Sequence, residues 1–132
     1  MTQLVSFDAK GRMECVPVVP FNEIVRVAFE ATQQTGMLLL EAEDPVEQEP
    51  YLMIALVGAL IRELMVEGGE LKLITYDAFG FGCLEIRGGK AISALPASLI
   101  EDARQLGVKL QLSKSVVLLS APSAEMEFAR AA

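Results

Sequence analysis

The sequence predicts a small α/β domain with a mostly parallel sheet, helices on its faces and an added N-terminal hairpin. Two observations lead to this prediction. From residue 37 onward, apolar strand-like runs alternate with helical patterns, which is typical of βαβ units. The 132 residues are 52% hydrophobic, which is enough for the packed core of one domain. We therefore expect a single domain over residues 1–132, built in three layers.

The first 36 residues are predicted to extend the core by a hairpin and a helix. Residues 3–19 contain two strand-like runs around Asp8-Ala9-Lys10-Gly11, where the Asp and the Gly suit a tight turn. Asn22 is expected to cap the next helix, and Gly36 to end it. Residues 37–122 form the predicted core, and residues 123–132 a tail.

The core begins with a short strand and a long apolar helix. Residues 37–40 read as a buried strand, followed by an acidic loop over 41–49. The helix predicted over 51–66 is apolar nearly all round from Leu52 to Ile61. Such a helix must be covered on more than one side, by a sheet and by either another helix or a second subunit. We therefore expect a homo-oligomer formed through helix 51–66, with a further protein as a second kind of partner.

Residues 71–87 leave two interpretations open. In both, residues 71–76 form a strand. In the first, residues 77–83 are a ligand-lining loop at the end of that strand; in the second, they are the turn of a hairpin whose return strand begins at Cys83. Beyond them, a helix is predicted from Pro96 to Gln105, ended by Gly107, and two strands over 108–112 and 116–119.

The composition argues against several classes of function. A net charge of −7 offers nothing to neutralise phosphates, so no nucleic acid is expected. With no His and two Cys, the chain cannot assemble the usual zinc ligand sets or a Ser-His pair, and no metal or cofactor is expected. The longest apolar run, ten residues, is shorter than the roughly 20 of a membrane span. The N-terminus does not resemble a signal peptide, so we expect a cytoplasmic protein.

Three loops supply the candidate site. Loops 41–49, 77–83 and 113–115 each follow a strand, and in a parallel sheet they would meet at one edge. Cys83 is the candidate catalytic nucleophile, although free Cys is also a common core residue. The candidate ligand-binding residues are Asp77, Phe79, Ser113 and Lys114. Each of these also suits an ordinary turn or packing role.

Three stretches resemble DsrE/DsrF-like proteins: Met37-Leu-Leu-Leu, Leu71-Lys-Leu-Ile-Thr-Tyr-Asp-Ala-Phe-Gly, and Leu99-Ile-Glu-Asp-Ala-Arg-Gln-Leu-Gly-Val-Lys-Leu. The resemblance covers about residues 37–120. It implies a flavodoxin-like sheet, oligomers and intracellular sulfur relay through a persulfide on a Cys. Ser113 stands at the position of that Cys, and a hydroxyl cannot hold a persulfide. The expected function is thus a DsrE-like binding or partner subunit without the acceptor Cys. Whether the protein is an enzyme is left open.

A second interpretation comes from a different class of protein. Residues 71–77 with 83–87, and 3–7 with 12–18, can be read as antiparallel hairpins. The chain would then be a non-enzymatic dimerisation or scaffold module of roadblock or profilin-like architecture. The direction of the strands distinguishes this interpretation from the first.

Overall fold

The structure, a computed structural model, describes residues 2–7, 13–66, 69–90, 92–114 and 116–124, and for 2–7 and 13–18 the backbone alone. The elements, in chain order, are β1 (Thr2–Phe7), β2 (Met13–Val18), α1 (Phe21–Ala31), β3 (Gly36–Leu40), α2 (Pro50–Leu64), β4 (Leu71–Ala78), β5 (Phe81–Arg87), α3 (Ala97–Leu106), β6 (Lys109–Ser113) and β7 (Val116–Pro122). The strands β1 and β2 pair antiparallel, as predicted. Their predicted turn, Asp8 to Gly11, and most of the predicted tail lie outside the described residues.

The main sheet is mixed, so the prediction of a mostly parallel sheet is wrong. Its strand order is β3-β4-β5-β7-β6. Only β3 and β4 pair in parallel, and the other three pairings are antiparallel. For two of these three pairings the reason is the length of the connection: two residues join β4 to β5 and two join β6 to β7, and only an antiparallel pair can be closed so tightly. The hairpin interpretation of residues 71–87 is therefore confirmed.

The domain has two layers rather than the predicted three. Leu73, Ile86 and Val117 lie side by side across three neighbouring strands, and all three are buried in one core cluster with residues of α1, α2 and α3. The helices thus cover the same face of the sheet. On the opposite face, Lys72 is exposed and Glu85 is half-buried.

The side chain of Asn22 does not cap α1, contrary to the prediction. The helix begins at Phe21 with Pro20 as its N-cap, which places Asn22 inside the first turn. Its Oδ1 accepts from the backbone N–H of Ala42 at 2.8 Å and from the hydroxyl of Thr75, and its Nδ2 donates to the carbonyl of Leu40 at 3.2 Å. Asn22 therefore ties α1 to the ends of β3 and β4, where the acidic loop begins.

Helix α2 packs against the sheet and against both other helices, which explains its nearly continuous apolar sequence. At its N-terminus, Glu49 Oε2 accepts from the Leu52 N–H at 2.8 Å. Leu52 itself stays 54% exposed, and Ala55 is exposed as well. Self-association through residues 51–66 stays a prediction. Among the described residues, no helix has the length and apolar character needed to cross a membrane.

Candidate functional site

The tip of the β4–β5 hairpin carries two of the predicted site residues. Phe79 and Gly80 form its two-residue turn, both with positive φ (51° and 83°), as a type I′ turn requires. The Phe79 side chain is fully exposed. Two residues earlier, Asp77 Oδ2 accepts from the Glu43 N–H at 3.1 Å. The hairpin tip and the acidic loop therefore lie against each other.

The surroundings of the Asp77 carboxyl group disfavour its charged form. Burial raises its pKa above the ordinary 3.8, and the neighbouring charge of Asp44 acts in the same direction. The backbone N–H groups of Glu43 and Asp44 partly oppose this by stabilising the carboxylate. No ion pair to Asp77 occurs within the described part of the chain. This corner of the molecule therefore carries uncompensated negative charge.

Cys83, the candidate nucleophile, lies inside β5 and is 6% exposed. Its Sγ is 3.9 Å from the hydroxyl oxygen of Ser120 on β7. Reactive thiols are partly exposed and lie near a cation, and Cys83 pairs in the sheet with Tyr76 and Ser120. Its surroundings are those of a packed side chain, and its catalytic role stays a prediction.

Ser113 and Lys114 lie at the opposite end of the sheet from Asp77. Strand β6 runs antiparallel to β7, so Ser113 pairs with Val116 at the end where β7 begins, whereas Asp77 is level with the end where β7 finishes. The structure thus brings Asp77 near Phe79 and the acidic loop but does not bring Ser113 or Lys114 to them. The single cleft expected from a parallel sheet is not formed. The ligand-binding roles of these residues stay predictions.

A groove with a volume of about 420 Å³ lies between α2 and α3. This α2–α3 groove is lined by Leu52, Ala55, Leu56, Ala59, Asp102, Gln105 and Leu106. Five of the seven side chains are aliphatic. The α2 residues recur at intervals of three and four, so they form one stripe along the helix. The two Ala residues leave room that a larger side chain would fill.

The last residues of the acidic loop lie near one end of the α2–α3 groove. Gln48 of that loop reaches α3, where its Nε2 is 3.7 Å from the place a Cβ on Gly107 would take. Its Oε1 is buried and accepts no hydrogen bond from the described residues. Because Glu49 caps α2 just beyond, its carboxylate lies next to Leu52, at one end of the groove.

The polar side of the groove is acidic. Asp102 takes part in none of the ion pairs found among the described residues. Next to it on α3, the Glu101 carboxylate accepts from Arg104 and from the amide of Gln105. No Lys or Arg belongs to the lining. The groove can therefore hold apolar groups, with a carboxylate at its rim.

A glycine pair follows β5, at a strand end of the kind that binds phosphate in other folds. In this chain the space beside both glycines is already filled by protein. A Cβ on Gly88 would lie 2.8 Å from the carbonyl oxygen of Glu70, and one on Gly89 would lie 2.8 Å from that of Leu64. The N–H of Lys90 also donates to the Leu64 carbonyl at 2.9 Å. The pair thus lets this segment pack against the last turn of α2.

The comparison with solved structures gives a consistent result. The fold is that of histidine kinase catalytic domains. The chain resembles the ATP-binding domain of PrrB from Mycobacterium tuberculosis (TM-score 0.64, 15% identity, 81% of this chain and 96% of that one) and the Acinetobacter baumannii histidine kinase AdeS (0.65, 15%, 83% and 68%). It also resembles the catalytic domain of the histidine kinase ThkA (0.61, 14%, 81% and 96%). No family model and no characterised protein matches the sequence.

This similarity overturns both functional interpretations of the sequence. The resemblance to DsrE/DsrF-like proteins is wrong, because the structural neighbours are histidine kinase domains. The expected sulfur relay falls with it, as does the roadblock or profilin-like scaffold. The stretches behind the resemblance, a strand of leucines and a helix ending in Leu-Gly-Val-Lys, occur in many α/β folds, and the flavodoxin-like sheet they implied is absent from the described chain.

One of these solved structures is an ATP-binding domain, but the residues of the α2–α3 groove do not fit an ATP triphosphate. A triphosphate needs cations or a row of free backbone N–H groups. The groove offers aliphatic walls and the carboxylate of Asp102, which repels phosphate. The space beside Gly88 and Gly89 is filled by the carbonyl oxygens of Glu70 and Leu64. Within the described ranges, no group of three or more Asp, Glu, Cys or His side chains is placed to hold a metal.

The sequence reasoning missed the α2–α3 groove. A signal for it exists in Ala55 and Ala59, two small residues on the stripe that begins at Leu52. On an otherwise bulky helix, such a stripe indicates either close helix packing or a cavity. The second wall comes from α3, more than forty residues later, and no local pattern reveals that contact.

Proposed function

We propose that this chain is a non-catalytic binding module that uses the fold of a histidine kinase catalytic domain to hold a segment of another protein in the α2–α3 groove. The observation that carries the proposal is the lining of the groove, which is aliphatic apart from Asp102 and Gln105 and contains no cation. The volume of about 420 Å³ lies within the range of roughly 300–1,000 Å³ typical of small-molecule pockets.

The exposure of the groove favours a protein segment over an enclosed small molecule. Leu52 is 54% exposed at one end, and Ala55 is exposed in the middle. Tyr51, one turn before Ala55, is also exposed and extends the apolar surface. Apolar surface on the outside of a domain marks a contact with a partner, and aromatic residues are enriched at such contacts.

A second candidate function is adenine nucleotide binding. The resemblance to the ATP-binding domain of PrrB favours it, and Asp102 with Gln105 supplies one acceptor and one amide that suit the edge of a purine base. The groove would then hold the base alone, since its lining has nothing to bind the phosphates.

Titration of the protein with a fluorescent ADP analogue in the presence of Mg²⁺ separates the two candidates. The ATP-binding domain of PrrB serves as the positive control. We expect saturable binding to that domain and none to this chain at the same concentrations. Saturable binding here that is lost in Ala55→Trp, which fills the groove, and kept in Ala31→Trp would overturn the proposal. Ala31 is an equally exposed helical Ala, on α1.

A further inference from the structure

We propose that the occupant of the α2–α3 groove is a basic amphipathic helix of another protein. This inference rests on the proposed function and names the class of the partner. It is argued from the shape of the groove and from the charges around it.

The shape of the groove suits a helix that anchors a few side chains. The α2 stripe from Leu52 to Ala59 is about 10 Å long at 1.5 Å per residue, which is two helical turns. A helix lying along it places apolar residues at positions i and i+4, or i, i+3 and i+7, into the space above Ala55 and Ala59. This is the helix-in-groove mode of recognition, in which the apolar face of the partner supplies the buried contacts.

The charge around the groove selects a basic partner. Asp102 lines one wall. Glu63 and Arg62 both lie one turn beyond Ala59 on α2, and Glu49 lies at the other end, where its carboxylate accepts from the Leu52 N–H.

The same charges disfavour two other occupants. A second copy of this chain would bring another net charge of −7 to an already acidic rim, and like charges across an interface are repulsive. An acidic peptide would meet the same repulsion. A helix with Lys or Arg beside its apolar face places one charge opposite Asp102 and others near Glu49 and Glu63, at the two ends of the groove.

The test uses two labelled model helices, one built from Leu and Lys and one from Leu and Glu in the same pattern. Binding to the full chain is measured by fluorescence anisotropy, with circular dichroism of each variant to confirm folding. We expect saturable binding of the Leu/Lys helix that weakens with added salt, and none of the Leu/Glu helix.

Variants show whether binding occurs in the groove. Ala55→Trp should weaken binding of the Leu/Lys helix by about tenfold or more, because the indole fills the space that an anchor side chain of the helix would occupy, while the matched Ala31→Trp should leave it unchanged. Asp102→Asn should weaken it by about threefold, as expected for one exposed ion pair.

Each remaining outcome overturns a stated part of the inference. Equal binding of the Leu/Glu helix would contradict the proposal that the partner is basic, but it would still support a groove that binds protein. If Ala55→Trp left binding unchanged, or if neither helix bound, the proposal that a helix occupies the groove would be wrong. Concentration-dependent dimers seen by light scattering and lost in Ala55→Trp would assign the groove to a second copy. If Mg²⁺-ADP displaced the helix, the proposed function as a protein-binding module would be wrong as well.

Discussion

Phe79 occupies a backbone conformation that few bulky residues adopt. Its φ is +51°, in the left-handed region where a side chain approaches its own carbonyl oxygen, and its ring is fully exposed to solvent. Neither feature helps the domain to fold. Asn and Gly are the residues typical of this turn position, because they tolerate positive φ.

We expect Phe79→Asn to raise the free energy of unfolding by about 1 kcal/mol through relief of this conformation. Urea denaturation followed by circular dichroism measures the change. Phe79→Ala is the control, since it removes the ring but keeps the backbone penalty, and it should change the stability little. A loss of stability in Phe79→Asn would mean that the ring makes contacts that matter for folding.

Asp77 should make the stability depend on pH. Its pKa is raised in the folded state, by burial and by Asp44, so the folded protein holds this proton more tightly than the unfolded chain. The stability contributed by that proton is present below the ordinary value of 3.8 and is lost as the pH rises through the folded pKa.

Asp77→Asn removes this titration and keeps an acceptor for the Glu43 N–H. We expect the variant to be more stable than the original protein at pH 7, and the two to converge as the pH is lowered through the acid range. Chemical denaturation at several pH values provides the measurement. A constant difference between the two proteins at every pH would show that Asp77 does not carry the effect.

At the scale of single elements, the sequence predicted well which helices and strands are present. Helices α2 and α3 begin and end within two residues of the predicted bounds, and Gly107 ends α3 with φ +76°, as predicted. These features depend on local patterns: apolar periodicity, Pro in the first turn and Gly at the end. Strand pairing was harder to predict. The turns of both hairpins in the main sheet lack the Asn-Gly or Asp-Gly pair that usually marks a hairpin in a sequence.

The packing between the last turn of α2 and the segment after β5 gives a matched pair of variants. Gly89→Ala places a Cβ 2.8 Å from the Leu64 carbonyl oxygen, and we expect it to lower the free energy of unfolding by about 1–3 kcal/mol. Gly58→Ala, inside α2, meets only the end of the Arg62 side chain at 3.5 Å. It should stabilise the protein slightly, by up to about 1 kcal/mol.

Thermal unfolding of the two variants measures both effects. Opposite shifts in Tm are expected, downward for Gly89→Ala and upward for Gly58→Ala. An unchanged Tm in Gly89→Ala would mean that the glycine pair is not needed for packing and is free to approach a ligand.

At the scale of the whole molecule, the sequence predicted an α/β domain but not the arrangement of its sheet. The alternation of strands and helices is the same whether the helices cover one face or two. What decides is the pairing of β5 with β7, which sets Ile86 beside Val117 although the two residues are far apart in the sequence. The α2–α3 groove was out of reach for the same reason, since its two walls come from distant helices.

The docking of residues 88–90 onto the end of α2 limits what protein engineering could make of this molecule. Adding a lysine to the groove would supply a positive charge, but the glycines would still be in contact with the carbonyl oxygens of Leu64 and Glu70. A phosphate could therefore reach the backbone of this segment only if the end of α2 were shorter or displaced, which is a change of backbone rather than of side chains.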